Sequence, residues 1–263
     1  MHIVVCAKQV PDPEAAFSMY KVDEEAKRVV PAPGLPLVMS PFDEQAVEAA
    51  LRIRENDADT KITIVTLGPE SARTAIKHGL AMGADEGVLI CDPSLEEGDA
   101  DVMAHVLAAA IRKLGHIDLV LAGRQSADRD SGIVAAGIGE LVGFPVISFA
   151  RDVRVQDATL RVERVLDDGT EIVEAALPAV VTVSNELGTP RTPNLRETMR
   201  AARKPVAVWK AADLGFAAES IRARSARERL YPPAKPGRCE FITGSVAEQA
   251  AALAQQLRQA NLI

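Results

Sequence analysis

Up to about residue 150, short apolar runs alternate with longer segments whose apolar positions recur at helical spacing. Residues 3–7 are rich in Val and Ile and read as a strand. Residues 42 to about 55 place Ala46, Val47, Ala50, Leu51 and Ile53 on one helical face. Residues 62–67 predict a second strand, and Gly68-Pro69 separates it from a helix that Gly83-Ala84-Asp85 stops after Met82. A third strand over 88–91, a helix over 100–114, a fourth strand over 117–122 and a helix from about 131 to 142 follow. Four strand–helix units with short connections predict a doubly wound, mostly parallel α/β sheet, with helices on both faces. Ligands of such sheets bind beyond the carboxyl ends of the strands. Here those ends carry Cys6-Ala7-Lys8, Leu67-Gly68-Pro69 and Gly123-Arg124-Gln125.

After Pro145 the period changes to two. Residues 146–155 and 160–165 alternate, Asp167-Asp168-Gly169 makes a turn and 171–176 returns, which predicts an added β-hairpin. Residues 179–184 are an apolar strand suited to rejoin the main sheet. Asn194 is an N-cap for a short helix through Ala202. The stretch 211–236, rich in Arg and Pro, reads as an extended arm, and Ser245 caps a last helix over 246–259. The organisation expected is one α/β domain over 1–210, with its hairpin at about 146–177, followed by an arm and helix over 211–263.

Composition narrows the classes. Aromatic residues are 3% of the chain, so aromatic stacking on nucleic-acid bases is not a theme. The net charge of −7 argues against a general polyanion surface. Yet residues 190–230 hold 10 Lys and Arg against 4 Asp and Glu, a basic segment that suits an acidic partner or a solvated surface equally well. Cys6, Cys91 and Cys239 are too scattered for a disulfide framework or a zinc ribbon, and Cys6 and Cys91 sit in apolar runs as core residues. The first residues lack the layout of a signal peptide, and no apolar stretch approaches the ~18 residues of a membrane span. A cytoplasmic protein, not integral to a membrane, is the expectation.

The strongest local signal for chemistry is the loop Gly123, Arg124, Gln125, Ser126, Ala127, Asp128, Arg129, Asp130, Ser131, Gly132, between the fourth strand and its helix. A glycine-flanked turn of this kind offers backbone N–H groups and a helix N-terminus to a phosphate. Ser131 adds a hydroxyl, and Arg124 or Arg129 a countercharge. Asp128 and Asp130 are anions and suit a capping role, or hydrogen bonds from ribose hydroxyls. The loop is neither G-x-G-x-x-G nor a Walker A loop. Searches for catalytic sets return nothing: His2, His78, His105 and His116 are isolated, and Glu24-Glu25 and Glu96-Glu97 read as solvated loop charges.

A longer set of segments carries a resemblance. Ala7-Lys8-Gln9-Val10-Pro11-Asp12, Ser40-Pro41-Phe42-Asp43-Glu44, Gly123-Arg124-Gln125 with Asp128 and Asp130, the stretch from Val162 to Glu171 ending in Leu177-Pro178-Ala179, and Pro190-Arg191 with Leu195 and Met199 occur in order. Together they resemble electron transfer flavoprotein beta subunits. The resemblance implies a sheet of the adenine nucleotide-binding type and an alpha-subunit partner that shares FAD with this chain. It also implies AMP or a second FAD bound by this subunit itself. Carried over residue by residue, Cys6, Ala7, Ser40, Pro41, Phe42, Asp43 and Leu67 would line the adenosine pocket. The loop from Gly123 to Gly132 would hold phosphate, and Arg191, Leu195 and Met199 would dock a dehydrogenase.

The electron donor implied is a flavin dehydrogenase of the acyl-CoA dehydrogenase type, and the acceptor a quinone-reducing or similar protein. The chain would contribute no catalytic residue of its own. Three places depart from the family pattern: the stretch Ser131 to Val134, Arg129 where electron-bifurcating members often have Gly, and Val165 where many carry an acid. A bulky Arg129 would crowd out a second flavin, or its charge would bind that flavin's pyrophosphate; of the two, the first, with AMP bound, is the expectation. The other reading is a stand-alone adenine nucleotide-binding regulator of the universal-stress type, which shares the α/β layout but needs neither hairpin nor basic arm.

Overall fold

The computed structural model describes residues 1–95, 98–156, 158–217, 222–232 and 239–263. Glu96 and Glu97, and the parts of the expected arm at 218–221 and 233–236, lie outside the described residues. The strands are β1 (His2–Cys6), β2 (Gln9–Pro11), β3 (Tyr20–Asp23), β4 (Arg28–Pro31), β5 (Leu37–Met39), β6 (Lys61–Leu67), β7 (Glu86–Ile90), β8 (Leu119–Gly123), β9 (Val146–Gln156), β10 (Thr159–Leu166), β11 (Gly169–Ala176), β12 (Ala179–Val183) and β13 (Val206–Trp209). The helices are α1 (Pro41–Asn56), α2 (Arg73–Met82), α3 (Ala100–Leu114), α4 (Val134–Val142), α5 (Leu195–Ala201) and α6 (Val246–Gln259).

One nine-stranded sheet, in the order β11-β10-β9-β12-β8-β1-β6-β7-β13, organises the chain. From β12 to β13 every pairing is parallel. The central parallel strands β1, β8 and β12 are buried along almost their whole length, which is why these runs are so rich in Val, Leu and Ile. Ile3 and Val5 face the layer of α1 and α2, whereas Val4 and Cys6 face that of α3 and α4. The chain moves outward from β1 through β6 to β7, then crosses back to form β8 on the other flank of β1. Strand order therefore reverses between β1 and β8, and open α/β sheets bind their ligands at such a point, in the crevice above the carboxyl ends of the strands.

The three segments expected to form the added hairpin are the strands β9, β10 and β11. β9 opens parallel to β12 through Val146 and Ile147, then runs antiparallel to β10, which pairs with β11, so all three strands extend the main sheet. A register shift between Val181 and Val183 lets β9 change partners, with Phe149 at φ 61 in the left-handed region. β13 escaped the sequence reading because its four residues follow the break at Pro205. The ribbon of β2 and β5 escaped it because each strand has three residues. The third strand starts at Glu86 and ends before Cys91, which is half-buried, and the fourth is Leu119–Gly123.

Two compact units divide the chain: Met1–Lys21 with Val29–Glu228, and Val22–Arg28 with Arg229–Ile263. Residues just beyond 210 stay with the larger unit because α3 holds them. Lys113 Nζ donates to Asp213 O at 2.6 Å, and Asp99 Oδ2 accepts from Arg224 N and Ser225 N, both at 2.8 Å. The same carboxylate caps α3 by accepting from Val102 N, and these donors hold its pKa down to about 2. In the smaller unit, Ser245 and Glu248 form a capping box on α6, and none of the helix's residues is buried. No helix among the described residues is long and apolar enough to cross a membrane.

Candidate functional site

Asp43 is the keystone of the crevice. It stands in the first turn of α1, which Pro41 opens and whose N-cap Ser40 makes no side-chain cap. Its Oδ2 accepts from Lys8 N at 2.8 Å and its Oδ1 from Gly123 N at 3.0 Å. One carboxylate thus ties the ends of β1 and β8 together across the reversal point. Burial drives its pKa up to about 7, opposed by those two N–H donors and the Lys8 charge. The approach of α1 explains why position 123 is glycine: a Cβ there would lie 2.6 Å from Asp43 Oδ1 and 2.7 Å from the Phe42 carbonyl carbon. Gly123→Ala is expected to lower stability by about 1–3 kcal/mol, read as a fall in thermal midpoint, because the clash is with backbone.

Beyond Gly123 the loop follows a path the sequence did not reveal. Lys8 Nζ reaches Asp128 Oδ2 at 2.6 Å, and Gln125 Nε2 donates to Asp130 Oδ1 at 2.9 Å. Asp130 (φ 49) and Gly132 (φ 64) both take left-handed backbone, which no regular helix contains. Helix α4 accordingly starts at Val134 and not near Ser131, with Ile133 as N-cap and no side-chain cap at all. Asp128 and Asp130, expected as caps, are instead engaged by Lys8 and Gln125. The first-turn N–H groups of α4 therefore lack a side-chain acceptor, which leaves them available to an anion.

Arg124 closes the other side. Its N–H donates to Val183 O at 2.9 Å, its Nη1 to Ser184 Oγ at 3.3 Å, and its guanidinium lies 5.6 Å from the ring centroids of both Phe42 and Phe149. Ser184 Oγ in turn donates to Glu186, and that bond, with the charges of Arg124 and Arg151, holds the Glu186 carboxyl below its usual range. Phe149 was missed because nothing in the sequence marks an aromatic residue at positive φ on a bulged strand.

Among the described residues, three buried side-chain atoms have no hydrogen-bond partner: Ser40 Oγ, Gln45 Oε1 and Thr66 Oγ1. Ser40 and Thr66 are completely buried. Thr66 alternates with Ile62 and Ile64, so it shares their face, the face to which Ala7 and Met39 also belong. Unsatisfied hydroxyls at the ends of strands are costly unless something completes them. Cys6 turns to the opposite face with Ala122, and Leu67 packs there too. Burial pushes the Cys6 thiol up to about 12, so it can line a site but not act as a nucleophile. Hydrogen bonds and ring contacts bring Lys8, Ser40, Phe42, Asp43, Gly123 and Arg124 together at the carboxyl ends of β1 and β8, while Cys6 and Leu67 pack on the sheet's other face. No group of three metal-ligating residues occurs among the described residues.

The second feature is α5. Arg191 precedes it with its guanidinium committed to α1: Nε to Glu48 Oε2 at 2.7 Å and Nη2 to Glu55 Oε1 at 2.8 Å. Arg52 holds Glu48 from the other side, and the two guanidinium groups keep that carboxylate's pKa low against its burial. Arg191 therefore anchors the loop. Leu195 and Met199, one turn apart, are 77% and 63% exposed, among Arg196, Arg200 and Arg203. An apolar pair left in water within a basic rim is the signature of a contact surface.

Comparison with known proteins agrees with this geometry. A family model described as the electron transfer flavoprotein domain matches residues 30–214. The Caffeyl-CoA reductase-Etf complex subunit CarD of Acetobacterium woodii is 35% identical over 268 aligned positions that cover 100% of both chains. The electron transfer flavoprotein subunit beta of Megasphaera elsdenii is 35% identical over 90% of each chain. That of Clostridium acetobutylicum is 32% identical over 100% of each.

Proposed function

This chain belongs to the electron transfer flavoprotein family as a beta subunit, and from that premise we propose that it binds an adenine nucleotide in the β1–β8 crevice while helping an alpha subunit hold FAD. The observation that supports the nucleotide reading is the uncapped start of α4 directly after the loop that leaves β8, where backbone N–H groups are open to a phosphate. Ser131, the backbone of Gly132 and the first turn of α4 would form the phosphate side, with Arg124 or Arg129 as countercharge, and Asp128 and Asp130 would face ribose hydroxyls. Of the two nucleotides AMP is favoured, because the bulk of Arg129 would crowd a second flavin, although its charge would also suit a flavin's pyrophosphate.

The redox chemistry is supplied by FAD when bound with the alpha subunit. This chain's own residues position, exclude water and dock; none is placed as nucleophile or acid–base. Leu195 and Met199 would meet a flavin dehydrogenase of the acyl-CoA dehydrogenase type, and electrons would pass on to a quinone-reducing or similar acceptor. The arm and α6 would pack on the alpha subunit, in the cytoplasm. The family match gives the stand-alone universal-stress-type reading no support.

The test is to purify the chain with its alpha subunit, denature the yellow complex and count the released ligands. One FAD and one AMP per heterodimer is the expected result. Two FAD would replace AMP with a bifurcating arrangement. A colourless monomer carrying no adenine nucleotide would defeat the proposal.

A further inference from the structure

Helix α5 has seven residues, too few to be stable on its own. Asn194 and Glu197 close its start with a capping box. Its end is held by another element. Lys77, on α2, donates to Ala201 O at 3.0 Å, Ala202 O at 3.2 Å and Lys204 O at 3.0 Å. Three donors meet three carbonyls, the full capacity of an ammonium group. The exchange is mutual. Lys204, just past α5, donates to Leu80 O at 3.0 Å in the last turn of α2 and to Ala84 O just beyond it. Each helix thus presents its negative end to a cation carried by the other. Both ammonium groups are half-buried, and burial lowers their pKa values from the ordinary lysine range.

An exposed apolar pair is useful to a partner only if it is already in place, because ordering it at the moment of contact weakens binding. We propose that Lys77 and Lys204 are positioning residues that fix the short helix α5 on α2, so that Leu195 and Met199 are presented preformed to the electron-donating dehydrogenase. This rests on the reading of α5 as the docking surface. Neither lysine reaches the crevice at β1 and β8, so their removal should leave the bound ligands untouched. A merely structural pair of lysines would affect melting and nothing else.

The experiment uses the intact heterodimer and an acyl-CoA dehydrogenase charged with its acyl-CoA. In Lys77→Met, amide exchange over 195–202 should quicken, the KM for the heterodimer should rise roughly threefold to tenfold, and kcat and ligand content should stay as in the parent. Lys204→Met carries the same expectation from the other side of the clamp, should Lys77→Met fold poorly. Leu195→Ala is measured alongside. If Leu195→Ala raises KM and the folded lysine variants do not, the positioning role is wrong and the docking surface stands. If Leu195→Ala also leaves KM unchanged, or the parent is not reduced at all, the docking reading fails and this inference with it. Unchanged exchange over 195–202 overturns the proposal without reference to any dehydrogenase.

Discussion

Leu195→Ala in the assembled heterodimer is expected to raise the KM for reduction by its dehydrogenase about tenfold to a hundredfold, with kcat unchanged. The size follows from exposure: the side chain is 77% exposed, so nearly all of its apolar surface is still available to be buried. Complete burial of a leucine is worth about 1.5–3 kcal/mol, which sets that range in affinity. Replacement by glutamate should do more, because a carboxylate would have to be desolvated in the same contact. The folded heterodimer should be unaffected, since a side chain in water contributes little to its own domain. Equal melting temperature and flavin content, with a displaced KM, is the pattern to look for in steady-state kinetics. A KM within twofold of the parent would remove α5 from the docking surface.

The order of strands and helices was readable because parallel strands buried on both faces leave unbroken apolar runs, and amphipathic helices leave the spacing seen at Ala46, Val47, Ala50, Leu51 and Ile53. The capped ends of α5 and α6 were readable too, since Asn194 and Ser245 act on the backbone three residues away. What stayed hidden depended on partners distant in sequence. Asp43 looks like one more acid at the start of a helix, and only the fold brings Lys8 N and Gly123 N onto its oxygens. Asp128 and Asp130 have the composition of caps, but left-handed backbone at Asp130 and Gly132 delays the helix past them. Arg191 was legible as part of a docking loop, but not as its anchor, because Glu48 lies 143 positions earlier. Lys77 gave no signal, and Lys204 stood out only as part of the docking-loop resemblance, since a lysine bound to carbonyls is indistinguishable in sequence from a solvated one.

Asp43 also predicts how stability should depend on pH. In the unfolded chain its carboxyl ionises near the ordinary 3.8, and in the fold at about 7. Between those values the folded protein keeps a proton that the unfolded chain has released, so the stabilisation is complete below 3.8, falls as pH rises and is gone above about 7. The gap corresponds to about 4 kcal/mol as an upper bound. The charges that face the carboxylate are Lys8 and Asp128, which pair with each other and leave burial as the main cause. Asp43→Asn cannot titrate. It keeps an acceptor for one N–H but turns a donor toward the other, a cost that does not vary with pH. Melting temperatures of the parent and Asp43→Asn, taken from pH 4.5 to 8.5, should therefore converge as pH rises and run parallel above about 8. Parallel curves throughout would mean that Asp43 ionises normally and is not sealed. Asp43→Ala goes further, because Lys8 N and Gly123 N are then both left without an acceptor and the ends of β1 and β8 are no longer joined. A crevice shaped by that joint should retain its nucleotide at least tenfold less well, measured as AMP remaining after dialysis.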